Sequence, residues 1–216
     1  MHKSGTASLA GKGKEFSGNL FEIRLECGII FVKYATKTER THSVRRKEGK
    51  TDMKYASNNI RNILIAGHAG SGKTTLTEAL VYFSGAAERM GRVEDGTTIS
   101  DFDPEEAKRK ASLSASVVPV EYEGIKYNLI DAPGLFDFEA GEYEGIRAAE
   151  SVLVVVSGRS GVTVGAEKAF QLARKNGKAT MVFVSKCDLE NANYFKILED
   201  MKIKFGSTVC PCVVPA

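Results

Sequence analysis

Three short runs of this chain hold residue types that chemistry on a phosphate ester would need. The first is Gly67-His68-Ala69-Gly70-Ser71-Gly72-Lys73-Thr74, with Thr75 directly after it. It fits the pattern Gly-x4-Gly-Lys-Ser/Thr, whose glycines let successive backbone N–H groups turn inward around phosphate oxygens. A helix starting at the end of the run would add its positive dipole end. Lys73 would neutralise charge on the outer phosphates, which makes it the one candidate catalytic residue. Thr74 would offer a hydroxyl to Mg²⁺. The second run is Asp131-Ala132-Pro133-Gly134. Asp131 at the tip of a strand could hold Mg²⁺ through water, and the Gly134 N–H could meet a γ-phosphate and move when that phosphate leaves. The third run is Ser185-Lys186-Cys187-Asp188. A carboxylate there can accept from the N1–H and N2–H₂ of guanine, a pair of donors that adenine lacks in that arrangement. The stem of Lys186 can lie along the base.

Alone, the second and third runs are ordinary polar turns, and only the first is specific. Their weight comes from order and context. Ile63–Ala66 is a short apolar run that ends at the glycine-rich segment. Leu76, Ala79, Leu80 and Phe83 then repeat at helical spacing, and Gly85 is a stop signal. Val117–Tyr122 and Ile125–Ile130 read as strands joined by Glu123-Gly124. Val152–Val156 and Thr180–Val184 read as buried strands. Gly165–Asn176 and Asn193–Phe205 read as helices, with Ala166, Ala169, Phe170 and Ala173 and then Ile197, Leu198, Met201 and Phe205 as their apolar sets. Each chemical run follows a strand. Alternation of this kind predicts an α/β fold with a mostly parallel central sheet and helices on both faces. Residues 86–115 have no such period, and a loop of that length in a compact domain is usually functional or mobile.

In this arrangement residues 59–216 resemble the start of elongation factor G, a translational GTPase, and more closely its elongation-factor-G-like branch. The resemblance rests on Gly67 to Leu80, on Gly91-Arg92-Val93-Glu94-Asp95-Gly96-Thr97-Thr98 with Asp101-Phe102, and on Asp131 to Phe138. It implies a P-loop NTPase of the translational G-domain type that takes GTP or GDP with Mg²⁺. In this register Ser112 stands where the family has a switch threonine that binds Mg²⁺ in the GTP state. The implied metal set is Thr74, Ser112 and Asp131. The implied partner is the ribosome, gripped through domains that this chain does not contain, in the cytoplasm, without membrane or sequence-specific nucleic-acid binding.

Two departures bear on activity. Leu135 replaces the family histidine that positions the hydrolytic water, and Gly70 stands where many relatives have Asp. Hydrolysis is therefore left open while binding is expected. His68, a polar loop residue, is read as part of the P-loop turn and not as a spare catalyst. The family's fifth guanine motif is not identifiable, since Gly206-Ser207-Thr208 follows a helix with no strand between. The expectation is a C-terminally truncated G domain over 57–216. Three functions compete: a ribosome-associated GTPase or a fragment of one, a guanine-nucleotide switch with impaired hydrolysis, and an ATP-using P-loop enzyme such as a small kinase. Asp188 argues against the last.

Bulk properties narrow the field further. With 43% hydrophobic and 26% charged residues, the chain has an ordinary globular composition. No apolar run is long enough to span a bilayer, and no secretory signal follows Met1. The net charge of +3 is uneven. Residues 1–52 hold eleven Lys/Arg against six Asp/Glu, so the rest of the chain is slightly acidic and the basic balance is no nucleic-acid footprint. The four cysteines, Cys27, Cys187, Cys210 and Cys212, lack metal-knuckle spacing and read as thiols. Residues 1–56 read as a poorly structured leader, with translation expected to begin at Met53. Lys47-Glu48-Gly49 can be encoded by a purine-rich ribosome-binding string. The alternative is a basic arm that touches ribosomal RNA.

Overall fold

A computed structural model describes residues 55–190 and 192–213. The expectations for the leader and for a start at Met53 lie outside the described residues, save for residues 55 and 56. Five strands form one sheet: β1 (Ile60–Ala66), β2 (Ser116–Tyr122), β3 (Ile125–Asp131), β4 (Ser151–Ser157) and β5 (Ala179–Ser185). Their spatial order is β2-β3-β1-β4-β5. β1 pairs in parallel with β3 and β4, β4 pairs in parallel with β5, and only β2 is antiparallel, to β3. The hairpin turn uses Glu123 and Gly124, both at positive φ (49° and 76°), the backbone that a two-residue hairpin requires. β1 lies between β3 and β4, so the chain leaves it in one direction and returns in the other. Ligands of open α/β sheets sit in the crevice beyond the carboxyl ends of strands at such a point.

The helices are α1 (Lys73–Phe83), α2 (Pro104–Arg109), α3 (Glu139–Ala148), α4 (Val164–Lys175) and α5 (Tyr194–Phe205). α1 covers one face, where Leu76, Leu80 and Val81 pack with Ile65, Val118, Val120, Leu129, Val155 and Phe183. Phe83, expected in that apolar set, is instead exposed. The helices α3, α4 and α5 cover the other face. There Phe170 of α4 stacks on Phe205 of α5, with ring centroids 4.2 Å apart. Among the described residues no helix is long and apolar enough to cross a membrane.

Two helices carry no apolar period in the sequence. α2 is built by its ends: Asp103 accepts from Glu105 N at 2.8 Å, Pro104 opens the first turn, and Lys108 and Arg109 close the last. Its one buried residue is Glu106. α3 buries Gly141, Gly145 and Ile146. A Cβ at Gly145 would lie 2.6 Å from Leu64 Cδ1, so α3 comes closer to the sheet than any larger residue would permit. Glycine lowers helix propensity and adds nothing to a hydrophobic pattern, which hides this element from periodicity.

Candidate functional site

The glycine-rich run joins β1 to α1 beyond the carboxyl end of the sheet. Gly72, with φ of 95°, makes the left-handed step into the helix, a backbone that L side chains rarely adopt. Lys73 follows as the first helical residue and is 6% exposed. Its Nζ donates to His68 O at 3.1 Å, folding the side chain back over the loop. Burial pushes the Lys73 ammonium below its ordinary range, opposed by Asp131, Glu142 and Asp101. A cation partly stripped of water beside a loop of backbone donors is suited to an anionic ligand. Ser71 Oγ is buried and has no partner among the described residues. Thr75 is exposed on the first turn of α1.

Asp131 ends β3 one register step from the loop, opposite Ile65 of β1. Its Oδ2 accepts from Thr74 Oγ1 at 2.9 Å. Thr74 Oγ1 lies 3.3 Å from Ser112 Oγ, which donates to Asp101 Oδ1 at 2.6 Å. The three residues of the expected metal set, Thr74, Ser112 and Asp131, thus form one connected group, and Asp101 extends it. Asp131 is fully buried, and its Oδ1 has no hydrogen-bond partner among the described residues. Burial raises its pKa to about 6, against the pull of Lys73 and Thr74. A buried carboxylate with an idle oxygen beside two hydroxyls fits Mg²⁺, which prefers oxygen ligands and completes its shell with water and phosphate. Among the described residues no group of three His, Cys, Asp or Glu is placed to hold a metal, so a cation here would draw on hydroxyls and on the nucleotide itself.

Gly134 packs directly on the loop: its O accepts from Ala69 N at 3.0 Å. A Cβ at this position would overlap Lys73 Nζ and lie 2.6 Å from Ala69 N. Glycine is therefore required by close approach. Leu135 follows, 40% exposed, at the head of the short 3-10 turn Phe136–Phe138. His68 meets Phe136 in a tilted ring contact at 5.8 Å, Lys168 Nζ sits 4.4 Å over the Phe136 ring, and Lys168 pairs with Glu139 at 2.8 Å.

The third run sits on the other side of the loop. Ser185 ends β5, and its Oγ donates to Ser71 O at 2.5 Å. Lys186 takes a left-handed backbone (φ 57°) and its Nζ donates to Gly70 O at 2.8 Å, laying the stem across the loop. Asp188 is exposed in the turn that follows. Residues from all three runs, with Ser112, therefore gather around one loop, which Ser185 and Lys186 touch directly while Asp188 lies exposed in the turn beyond them. Gly206-Ser207-Thr208 forms the turn after α5.

Sequence reasoning missed three carboxylates that shape this site. Glu78 of α1 is buried, and it accepts from Ile99 N at 2.6 Å and Gly91 N at 3.1 Å. Glu106 of α2 is buried, and its Oε1 accepts from Leu113 N at 2.8 Å and Ser114 N at 3.1 Å. Between them they tether both ends of the segment that carries Asp101 and Ser112. The third is Glu142 of α3, half-buried, whose pKa burial raises to about 7 against the opposing pull of Lys73. A lone acid among apolar helical neighbours, as at Glu78, is the only signal that the sequence offered.

Comparison with known proteins bears on this geometry. Residues 58–212 match the elongation factor Tu GTP binding domain. The chain is 36% identical over 157 residues to an elongation factor G-like protein of Mycobacterium tuberculosis, covering 73% of this chain and 22% of that protein. It is 32% identical over 165 residues to elongation factor G of Chlamydia trachomatis, covering 76% of this chain and 24% of that one. A crystal structure of a Thermus thermophilus protein superposes with a TM-score of 0.66 at 44% identity, over 68% of this chain and 22% of that one. The chain thus spans less than a quarter of the length of these relatives.

Proposed function

The chain belongs to the elongation factor Tu GTP binding domain family, as a translational-type domain related to elongation factor G, and from that premise we propose that it binds GTP and GDP with Mg²⁺ and acts in the cytoplasm with the ribosome. The observation that carries the proposal is the convergence of Lys73, the Thr74–Asp131 hydrogen bond and the Ser185–Ser71 hydrogen bond on one glycine-rich loop. Backbone N–H groups of the loop and of the first turn of α1, with Lys73, hold the phosphates. Thr74, Ser112 and Asp131 hold the cation, which when bound neutralises phosphate charge. Asp188 accepts from the guanine ring, while Ser185 and Lys186 brace the base-binding turn against the loop. His68 shapes the loop, and Thr75 extends its first helical turn. In this reading the chain is part of a longer multidomain factor, whose other domains supply the ribosome contacts.

A second reading, a nucleotide switch with impaired hydrolysis, is favoured by Leu135, which has no polar group to orient water. Calorimetric titration with GDP, GTP and ATP in Mg²⁺ tests the binding proposal: guanine nucleotides should bind more tightly, and equal affinity for ATP removes the role given to Asp188. Single-turnover hydrolysis with and without ribosomes, in a chain completed with the domains of a full-length relative, separates the two readings. Rapid ribosome-dependent turnover with Leu135 in place would contradict the impaired switch.

A further inference from the structure

Thr74 and Glu78 lie four residues apart on α1, so their side chains stand one turn apart on one face of the helix. Thr74 belongs to the cation group described above, while Glu78 binds the backbone of a different segment. The Glu78 carboxylate, 1% exposed, receives Ile99 N at 2.6 Å on Oε1 and Gly91 N at 3.1 Å on Oε2. Both ends of residues 91–99 are thereby pinned to one side chain. The segment also closes on itself, with Thr97 N donating to Arg92 O at 3.2 Å and Arg92 N to Thr97 Oγ1 at 3.0 Å. Gly91 is required there, since a Cβ would overlap the Glu78 carboxylate and lie 2.6 Å from Thr97 O. Two residues beyond Ile99, Asp101 is 5% exposed and accepts from Ser112 Oγ at 2.6 Å and from Thr98 Oγ1 at 3.4 Å. Ser112 in turn faces Thr74, which closes a ring of contacts from α1 through Glu78, Ile99, Asp101 and Ser112 back to α1.

The protons of the two hydroxyls decide what this ring does. A hydroxyl has one proton to donate. Thr74 donates its proton to Asp131 at 2.9 Å, and Ser112 donates its own to Asp101. The two oxygens, 3.3 Å apart, therefore meet lone pair to lone pair. Such a pair repels until a positive centre joins it. Neighbouring oxygen ligands of an octahedral Mg²⁺, each about 2.0–2.1 Å from the ion, lie about 3 Å apart, close to the separation of this pair. Resting on the nucleotide-binding function proposed above, we propose that Glu78 is a positioning residue of the cation site. It holds Ile99 and so sets Asp101, which turns the Ser112 hydroxyl with its lone pairs toward the cation. Groups that orient a metal ligand without meeting the metal are worth about tenfold to a hundredfold in metal affinity. A carboxylate that only supported the fold would change stability and leave the metal requirement alone.

The test is titration of the full chain with a non-hydrolysable GTP analogue over a range of Mg²⁺ concentrations, read as the Mg²⁺ concentration that gives half of the gain in affinity. The wild type is compared with Glu78→Gln, Ser112→Ala and the double variant. Glu78→Gln keeps the size of the side chain and replaces one acceptor oxygen by an amide donor, which cannot receive a backbone N–H. The expected result is a Mg²⁺ requirement about tenfold higher in each single variant, and no higher in the double variant than in Ser112→Ala. Effects that multiply in the double variant overturn the proposal. Should Glu78→Gln fail to fold, amide hydrogen exchange on the wild type decides, because coupling between two sites is reciprocal. Mg²⁺ added to the analogue-bound chain should slow exchange at Gly91 and Ile99, and unchanged exchange at both overturns the proposal. A wild-type chain that binds no guanine nucleotide overturns the underlying function, and the positioning role with it. Nucleotide binding whose Mg²⁺ requirement is the same in the wild type and in either single variant overturns the positioning role alone.

Discussion

The two sides of the proposed phosphate site are built by different means. On one side, residues 67–72 are a continuous loop that runs from β1 into the first turn of α1, set by backbone geometry and braced by Ser185 and Lys186 from β5 and the turn after it. On the other, residues 98–115 and 131–142 come from separate parts of the chain, the first held by side chains and the second by close glycine packing and a backbone hydrogen bond. Glu78 and Glu106 tether the first segment, Ser112 links it to Thr74 and Asp101, and glycines press the second segment against the loop. A segment that hangs on hydrogen bonds to a few carboxylates can exchange them for bonds to a ligand at small cost, because each is worth only about 0.5–1.5 kcal/mol net, or up to about 3 when charged. Under the proposed function, the contrast assigns recognition of any guanine nucleotide to the fixed half and sensing of the third phosphate to the responsive half.

Lys73→Ala should break the fixed half outright. It removes a buried cation assigned above to the outer phosphates, and triphosphate affinity should fall by at least about tenfold to a hundredfold, the value of a charge-assisted hydrogen bond. Undiminished GTP binding by a folded variant would show that the loop is not the phosphate site. Asp188→Ala should leave phosphate binding intact but remove most of the preference for GTP over ATP, again by about 1.5–3 kcal/mol. Competition between the two nucleotides measures it, and an unchanged preference would move base recognition elsewhere.

Glu106→Ala sharpens the comparison from the other side. It leaves Leu113 N and Ser114 N without their acceptor, at a cost of about 1–3 kcal/mol. The loss should weaken GTP more than GDP, because it frees the segment that presents Ser112. An equal effect on both nucleotides would make Glu106 a support of the fold alone. The smallest effect is on pH. Asp131 and Glu142 have folded-state pKa values raised to about 6 and about 7. Raised carboxyl pKa values give stability that is fully present below the unfolded carboxylate range and is lost as pH rises through the folded values. The nucleotide-free chain should therefore melt at progressively lower temperature from about pH 4 to pH 7, and Glu142→Gln should flatten the upper part of that window.

The fixed half was legible in the sequence because its instructions are local. A strand, a glycine-rich run and a helix lie in sequence within residues 60–83, and the runs at Asp131 and Ser185 announce themselves by following apolar strands. The responsive half was only partly legible. α2 is specified by an Asp103 cap and Pro104, signals readable in principle, yet its buried face is a single carboxylate. α3 packs through Gly141 and Gly145, which a periodicity search counts as helix breakers. The partners of Glu78 and Glu106 are backbone N–H groups in a loop, and no residue type marks them. Ser112, which the structure places beside Thr74 and Asp101, is singled out in the sequence by family register and not by any local pattern.

Amide hydrogen exchange on the chain alone, with GDP and with a non-hydrolysable GTP analogue, tests the division directly. Both nucleotides should protect residues 67–75 and 185–188 to a similar degree, and only the triphosphate should add protection at residues 110–114 and 131–142. Identical protection of the second set by GDP and by the triphosphate, or no protection at residues 185–188 by either, would contradict the account.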